Sequence, residues 1–224
     1  MKVPISTEQF LSVFKSHNHS VFPMQLIILI LGFLAVFAIL QKKRNLDKLI
    51  GIILAFIWLW AGVVYHLKFF SGINKAAFAF GALFIIQGII FLSQTFFAKD
   101  YKFSYLKDMR GIIGLFLVFF GFILYPIISW ITKGTTDLII SAGLPCPTVI
   151  ATFGFLALTF TRVKWYVYII PVLWSLVGIS AALNFGIYQD FTMLLAAIVV
   201  IIINRNAKYP QSASIERVKE DVAI

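Results

Sequence analysis

The chain has 224 residues, 61% of them hydrophobic and 12% charged, with a mean hydropathy of +0.95 and a formal net charge of +10. A water-soluble fold of this length cannot bury so much apolar surface, because much of any folded surface faces water, so the composition points to a lipid bilayer. The single cysteine, Cys146, excludes an intramolecular disulfide, and the excess positive charge is explained by its position along the chain rather than by nucleic acid.

Residues 1–21 hold no apolar core of signal-peptide length, so no cleaved leader is read there. Ser6-Thr7-Glu8-Gln9 has the form of a capping box. Phe10, Leu11, Val13 and Phe14 follow at near-helical spacing, which predicts a short amphipathic helix on the outer surface. A membrane helix needs ~20 apolar residues. Runs near that length occupy 22–40, 49–69, 76–97, 111–131, 147–161, 165–183 and 188–203, the fifth being short. The reading is an all-α, polytopic membrane protein of about seven transmembrane helices within residues 22–204. The polar tail, 205–224, is expected to be flexible.

Lysine and arginine set the orientation. Lys42, Lys43, Arg44, Lys48, Lys99, Lys102, Lys107, Arg110, Arg162, Lys164, Arg205, Lys208, Arg217 and Lys219 fall in the first, third and fifth loops and the tail. Only Lys2, Lys15, Lys68, Lys75 and Lys133 fall on the other side. The first group is expected in the cytoplasm, which places the N-terminus outside and the C-terminus inside.

The chain repeats itself in outline. Gly32-Phe33-Leu34-Ala35 in the first span is matched by Gly154-Phe155-Leu156-Ala157 in the fifth, and Pro23 by Pro147. Leu59-Trp60 with Gly72-Ile73 is matched by Leu173-Trp174 with Gly186-Ile187 at the same separation. The expected plan is 3+1+3: repeats at 22–97 and 147–204, joined by a linker helix at 111–131. This layout is similar to that of the SWEET sugar carriers, a likeness of plan and not of sequence motif.

A closer resemblance rests on Trp58-Leu59-Trp60-Ala61-Gly62-Val63-Val64-Tyr65-His66, Phe69-Phe70, Ile73-Asn74, Gly143-Leu144-Pro145-Cys146-Pro147-Thr148 and Leu173-Trp174-Ser175. Over nearly its whole length the chain resembles a family of uncharacterised bacterial membrane proteins, domain of unknown function 6064. The resemblance implies a multi-pass protein of the bacterial inner membrane and no particular activity.

All nine acidic residues fall in loops, tails or helix ends, which argues against a proton pump built on a carboxylate chain. No lysine lies mid-helix in the last span, which argues against a retinal protein. Trp60 and Trp174 sit near the midplane, where an indole N–H wants an acceptor, and as repeat equivalents they are expected to face each other across a central axis. Facing indoles suit a sugar ring, an aromatic solute or a cation; the alternative is helix packing. Gln87, Thr152, Ser175 and Asn184 would add hydrogen bonds to that site or glue helices together. Pro126, Pro147 and Pro171 are candidate kinks.

On the outer side, His66, Cys146 and Asp190 are weak candidates for a zinc or copper site without tight ligand spacing, and Asp190 otherwise faces the positive end of the last helix. Enzyme motifs are absent. The leading expectation is therefore a carrier or facilitator for a small neutral solute, without cofactor or nucleic-acid partner, working alone or as a homo-oligomer. Its solute site would comprise Trp60, Trp174, Gln87, Ser175 and Asn184. The alternatives are a sensor or assembly subunit that moves nothing, and a soft-metal or redox protein using the outer His/Cys group.

Overall fold

In the computed structural model, residues 5–41, 46–98 and 101–209 are described. The expected flexible tail beyond Tyr209, and the charges at 2, 42–44 and 99, lie outside them. The described residues form helices joined by short loops, with one isolated antiparallel bridge between Phe103 and Thr159. The α-helices are α1 Thr7–Val21, α2 Met24–Leu40, α3 Asp47–Trp60, α4 Ala77–Phe97, α5 Met109–Phe119, α6 Tyr125–Lys133, α7 Pro145–Ala157, α8 Ile169–Phe185 and α9 Phe191–Asn206. A π-helical segment, Ala61–Phe69, continues α3, and a second, Phe120–Leu124, joins α5 to α6.

Among the described residues, five continuous helices are long and apolar enough to cross a membrane: Asp47–Gly72, Ala77–Phe97, Met109–Lys133, Trp165–Phe185 and Tyr188–Asn206. A sixth results if α1 and α2, bent by 82°, are one broken span. α2 turns Leu26, Ile30, Phe33 and Phe37 outward and buries Ile28, Gly32, Ala35 and Ala38, the one-sided burial of a helix on the outside of a bundle.

α7 is different. Twelve of its thirteen residues are buried, every one but Cys146, and it touches α3, α5, α8 and α9. At ~1.5 Å per residue it is about 20 Å long, short of the ~30 Å hydrocarbon core. Its predicted extension to 161 is not helical. The backbone turns at Leu158 and pairs with a loop instead, Ser104 N donating to Leu158 O at 2.9 Å and Phe160 N to Lys102 O at 2.8 Å. The loop side chains Tyr101 and Phe103 are buried there, filling the space a longer α7 would take. Close approach makes α7 central: a side chain on Gly154 would meet Gly114 O at 2.7 Å and Val118 N at 2.8 Å.

Of the three candidate kinks, Pro147 and Pro171 lie in the first turns of α7 and α8, where backbone N–H groups have no helical partner anyway. Pro171 falls early in the span Trp165–Phe185, just past its 3-10 opening turn, and Pro126 alone sits in the middle of a long span. Its ring would clash with a carbonyl one turn earlier in a regular α-helix, and the π-helical turn Phe120–Leu124 takes up that mismatch.

The capping box forms as expected, Gln9 N donating to Ser6 Oγ and Ser6 N to Gln9 Oε1. The apolar face of α1, however, turns onto the bundle rather than onto lipid. Phe10 stacks on Phe185, with ring centroids 4.1 Å apart, and Phe14 on Tyr65 at 5.9 Å.

Candidate functional site

Beneath α1 lies a cavity of about 170 Å³. Its roof is Ile5, Phe10 and Phe14, and Tyr65, Phe70 and Phe80 form one wall. Tyr125, Cys146, Trp174 and Asp190 are gathered from α6, α7, α8 and the short turn before α9. Both π-helical segments deliver residues to it: Tyr65 lies within the first, and Tyr125 directly follows the second. A π turn shifts the helical phase and so re-aims the side chains that follow it.

Asp190 is fully buried. The sequence places it at a helix end, which on its own reads as interfacial. The fold instead tucks the Tyr188–Asp190 turn against α6 and α7. The Tyr125 hydroxyl donates to Asp190 Oδ1, and the Cys146 thiol donates to Oδ2 at 3.5 Å. The Trp174 indole approaches Cys146 without an acceptor at hydrogen-bond distance. No ion pair among the described residues includes Asp190. The other buried acid, Asp47, is held by Lys102 Nζ at 3.5 Å and accepts the Phe103 N–H at 2.8 Å.

The predicted solute residues are dispersed. Trp174 lines the cavity, its ring edge-on to His66 at 4.9 Å, Phe84 at 5.0 Å and Phe80 at 5.3 Å. Trp60 does not face it. Trp60 packs beside Phe56 and against Gly143, where a φ of 91° and the missing side chain permit the approach. Gln87 is buried and donates to Val167 O at 3.2 Å; Ser175 donates to Pro171 O at 2.8 Å; Asn184 is exposed and donates to Ser180 O at 2.7 Å. None of these three lines the cavity.

The tryptophan that reaches α7 is Trp58, which is not among the expected solute residues. It is fully buried, and its Nε1 donates to Thr152 Oγ1 on α7 at 2.9 Å. The outer trio is likewise split. Cys146 and Asp190 meet, but His66 is buried among Trp174, Phe80 and Phe84 with neither ring nitrogen bonded. No three of His, Cys, Asp and Glu stand close enough to hold a metal ion among the described residues.

Polar groups outside the cavity fasten its roof. Asn18 Nδ2 donates to Asp137 O and Ile139 O, and the Asp137 carboxylate meets Lys15 at 3.2 Å and His19 at 3.0 Å. Its bonds to Lys15 and His19 hold that carboxyl below the usual carboxylate range. His17, buried on the inner face of α1 against Tyr65 and Phe69, is pushed down to about 4 by burial, against a smaller upward pull from Asn18.

These features define a class: an all-α bundle of helices long and apolar enough for a membrane, holding a small aromatic cavity with one buried acid. The chain belongs to the family of unknown function DUF6064, which it matches over residues 7–214. No curated protein and no solved structure matches it, so the likeness to sugar carriers rests on helix layout alone.

Proposed function

We propose that this is a seven-span membrane protein that binds, and carries, a small organic solute through the cavity beneath α1. The observation that carries the reading is the cavity itself: about 170 Å³, mostly apolar and rich in aromatic rings, with a few convergent polar groups, the usual make-up of a small-ligand site. A cavity of about 150 Å³ lined by apolar groups accommodates benzene, so the solute is of that order. Few polar groups converge, which disfavours a sugar with its many hydroxyls. In this reading α2 is one further span, the short buried α7 makes the other together with the loop segments paired at its C-terminal end, and α1 is the outer cover.

The orientation, N-terminus outside, is supported by where the basic residues gather. Arg162, Lys164 and Arg205 line one cleft with Tyr209, whose ring also carries Arg110 at 5.2 Å. Lys15 and Asp137 lie with α1 at the opposite end, over the roof of the cavity. The repeat is retained only as a plan of the chain: α7 is buried on every side where α2 is half lipid-facing, and Gly186 caps α8 at a φ of 65° while Gly72 does not adopt a positive φ. The bacterial inner membrane remains the expected location.

The test is a thermal-shift screen of the detergent-solubilised full chain against small aromatic and aliphatic solutes, since a ligand of the native state raises its melting temperature by mass action. A hit whose shift vanishes in Ala181→Phe, which fills the cavity from α8, supports the site. Uptake of that hit into proteoliposomes separates a carrier from a sensor. A hit unaffected by Ala181→Phe places the site elsewhere.

A further inference from the structure

We propose that the solute is a small organic cation, an ammonium group on an apolar body of about benzene size, with Asp190 as its counter-ion. This rests on the cavity being the solute site. Three observations converge. First, both oxygens of Asp190 stand at hydrogen-bond distance from groups able to donate, the Tyr125 hydroxyl at one and the Cys146 thiol at the other, so the fold supplies donors for a carboxylate there. A carboxylate has about four acceptor sites, so these two donors leave room for another. Second, among the described residues no lysine, arginine or histidine lines the cavity and no ion pair reaches Asp190. A buried carboxylate without a counter-charge is costly, and an uncharged fold element would serve the packing better. Asp47 shows the other solution, a protein cation brought to the acid. Third, the remaining walls are apolar and carry several aromatic rings, from Phe10 on the roof to Trp174 on the side, and aromatic faces attract cations once water is excluded.

An anion is repelled by the same carboxylate. A neutral solute of the same shape gains the apolar contacts and leaves Asp190 without a charge partner. Discrimination between an amine and its neutral isostere is therefore the signature of this chemistry.

The probes are benzylamine, benzyl alcohol and benzoate, closely matched in size, titrated at pH 7 into the full chain in detergent with calorimetry as the readout. Wild-type protein is expected to bind benzylamine at least about tenfold more tightly than benzyl alcohol, the return on one charge-assisted contact of about 1.4 kcal/mol or more, and to show no binding of benzoate. Asp190→Asn is expected to bring the two neutral and cationic probes to similar affinity. If that variant does not fold, the wild-type comparison decides alone. Benzyl alcohol or benzoate binding as tightly as benzylamine, or Asp190→Asn leaving the preference intact, overturns the cation assignment and leaves the solute cavity standing. Binding of none of the three overturns both.

Discussion

Two kinds of contact hold α1 over the cavity, and replacing Phe10 with alanine separates them. Phe10 is 7% exposed, stacks on Phe185, and meets Phe14 and Phe70 edge-on at 5.1 and 5.9 Å. Truncating a buried phenylalanine costs about 3–5 kcal/mol. The low end applies here because the ring already borders a cavity, so the space it leaves adds to one that exists. About 3 kcal/mol corresponds to roughly a hundredfold rise in the population with α1 detached. The polar fastening is weaker, because the Lys15 side chain is 60% exposed and solvent screens such pairs.

Amide hydrogen exchange is the assay, since it reads local opening residue by residue. Phe10→Ala should speed exchange across α1 by about two orders of magnitude while α3, α4 and α7 keep their protection. Asp137→Asn should change it far less. If Asp137→Asn releases α1 as readily as Phe10→Ala, or if Phe10→Ala loosens the whole bundle equally, the aromatic cover is not what closes the cavity.

Three further perturbations follow from the packing. Trp58→Phe removes the indole bond to Thr152 and should lower stability by about 1 kcal/mol, and a double-mutant cycle with Thr152→Val should show strong non-additivity in thermal melts. Gly154→Ala should destabilise by about 1–3 kcal/mol, because its Cβ would meet backbone atoms of α5, whereas Gly72→Ala, with nothing within 4 Å, should be near neutral in the same melts. The third concerns pH. His17 is held neutral in the fold, with its value lowered from 6.5 to about 4, so the unfolded or undocked form binds the proton more readily. Its contribution to docking is complete above pH 6.5 and is lost as pH falls from there toward 4. Exchange across α1, corrected for intrinsic rates, should rise over that window and become flat in His17→Phe; an unchanged pH dependence in the variant would place the titrating group elsewhere.

The long apolar helices were legible because a run of ~20 apolar residues has few uses outside a bilayer. The predicted 76–97 and the observed Ala77–Phe97 differ by one residue. α7 was less so: its C-terminal end is set by pairing with Lys102 and Ser104, distant residues that carry no mark of it in the sequence. The site was mostly hidden. Trp58 could have been found from helical phase, since it shares a face with Ile50, Leu54, Ala61 and Tyr65, whereas Trp60, two residues on, points elsewhere. The matched Leu-Trp pairs of the two halves mark Trp60 instead.

The burial of Asp190 had no such signal. A residue at a helix start is interfacial or interior according to what packs over it, and here that depends on α6 and α7 meeting the turn before α9. The π-helical segments that aim Tyr65 and Tyr125 inward were also invisible, apart from the hint of Pro126.

Whether the cavity takes up a benzene-sized solute can be seen by diffusing bromobenzene into crystals of the protein and locating the bromine by its anomalous scattering. A bromine peak is expected in the cavity between Phe10, Tyr65, Trp174 and Asp190. Bromine found only along the lipid-facing sides of the helices, with that cavity unoccupied at saturating concentration, would contradict that expectation.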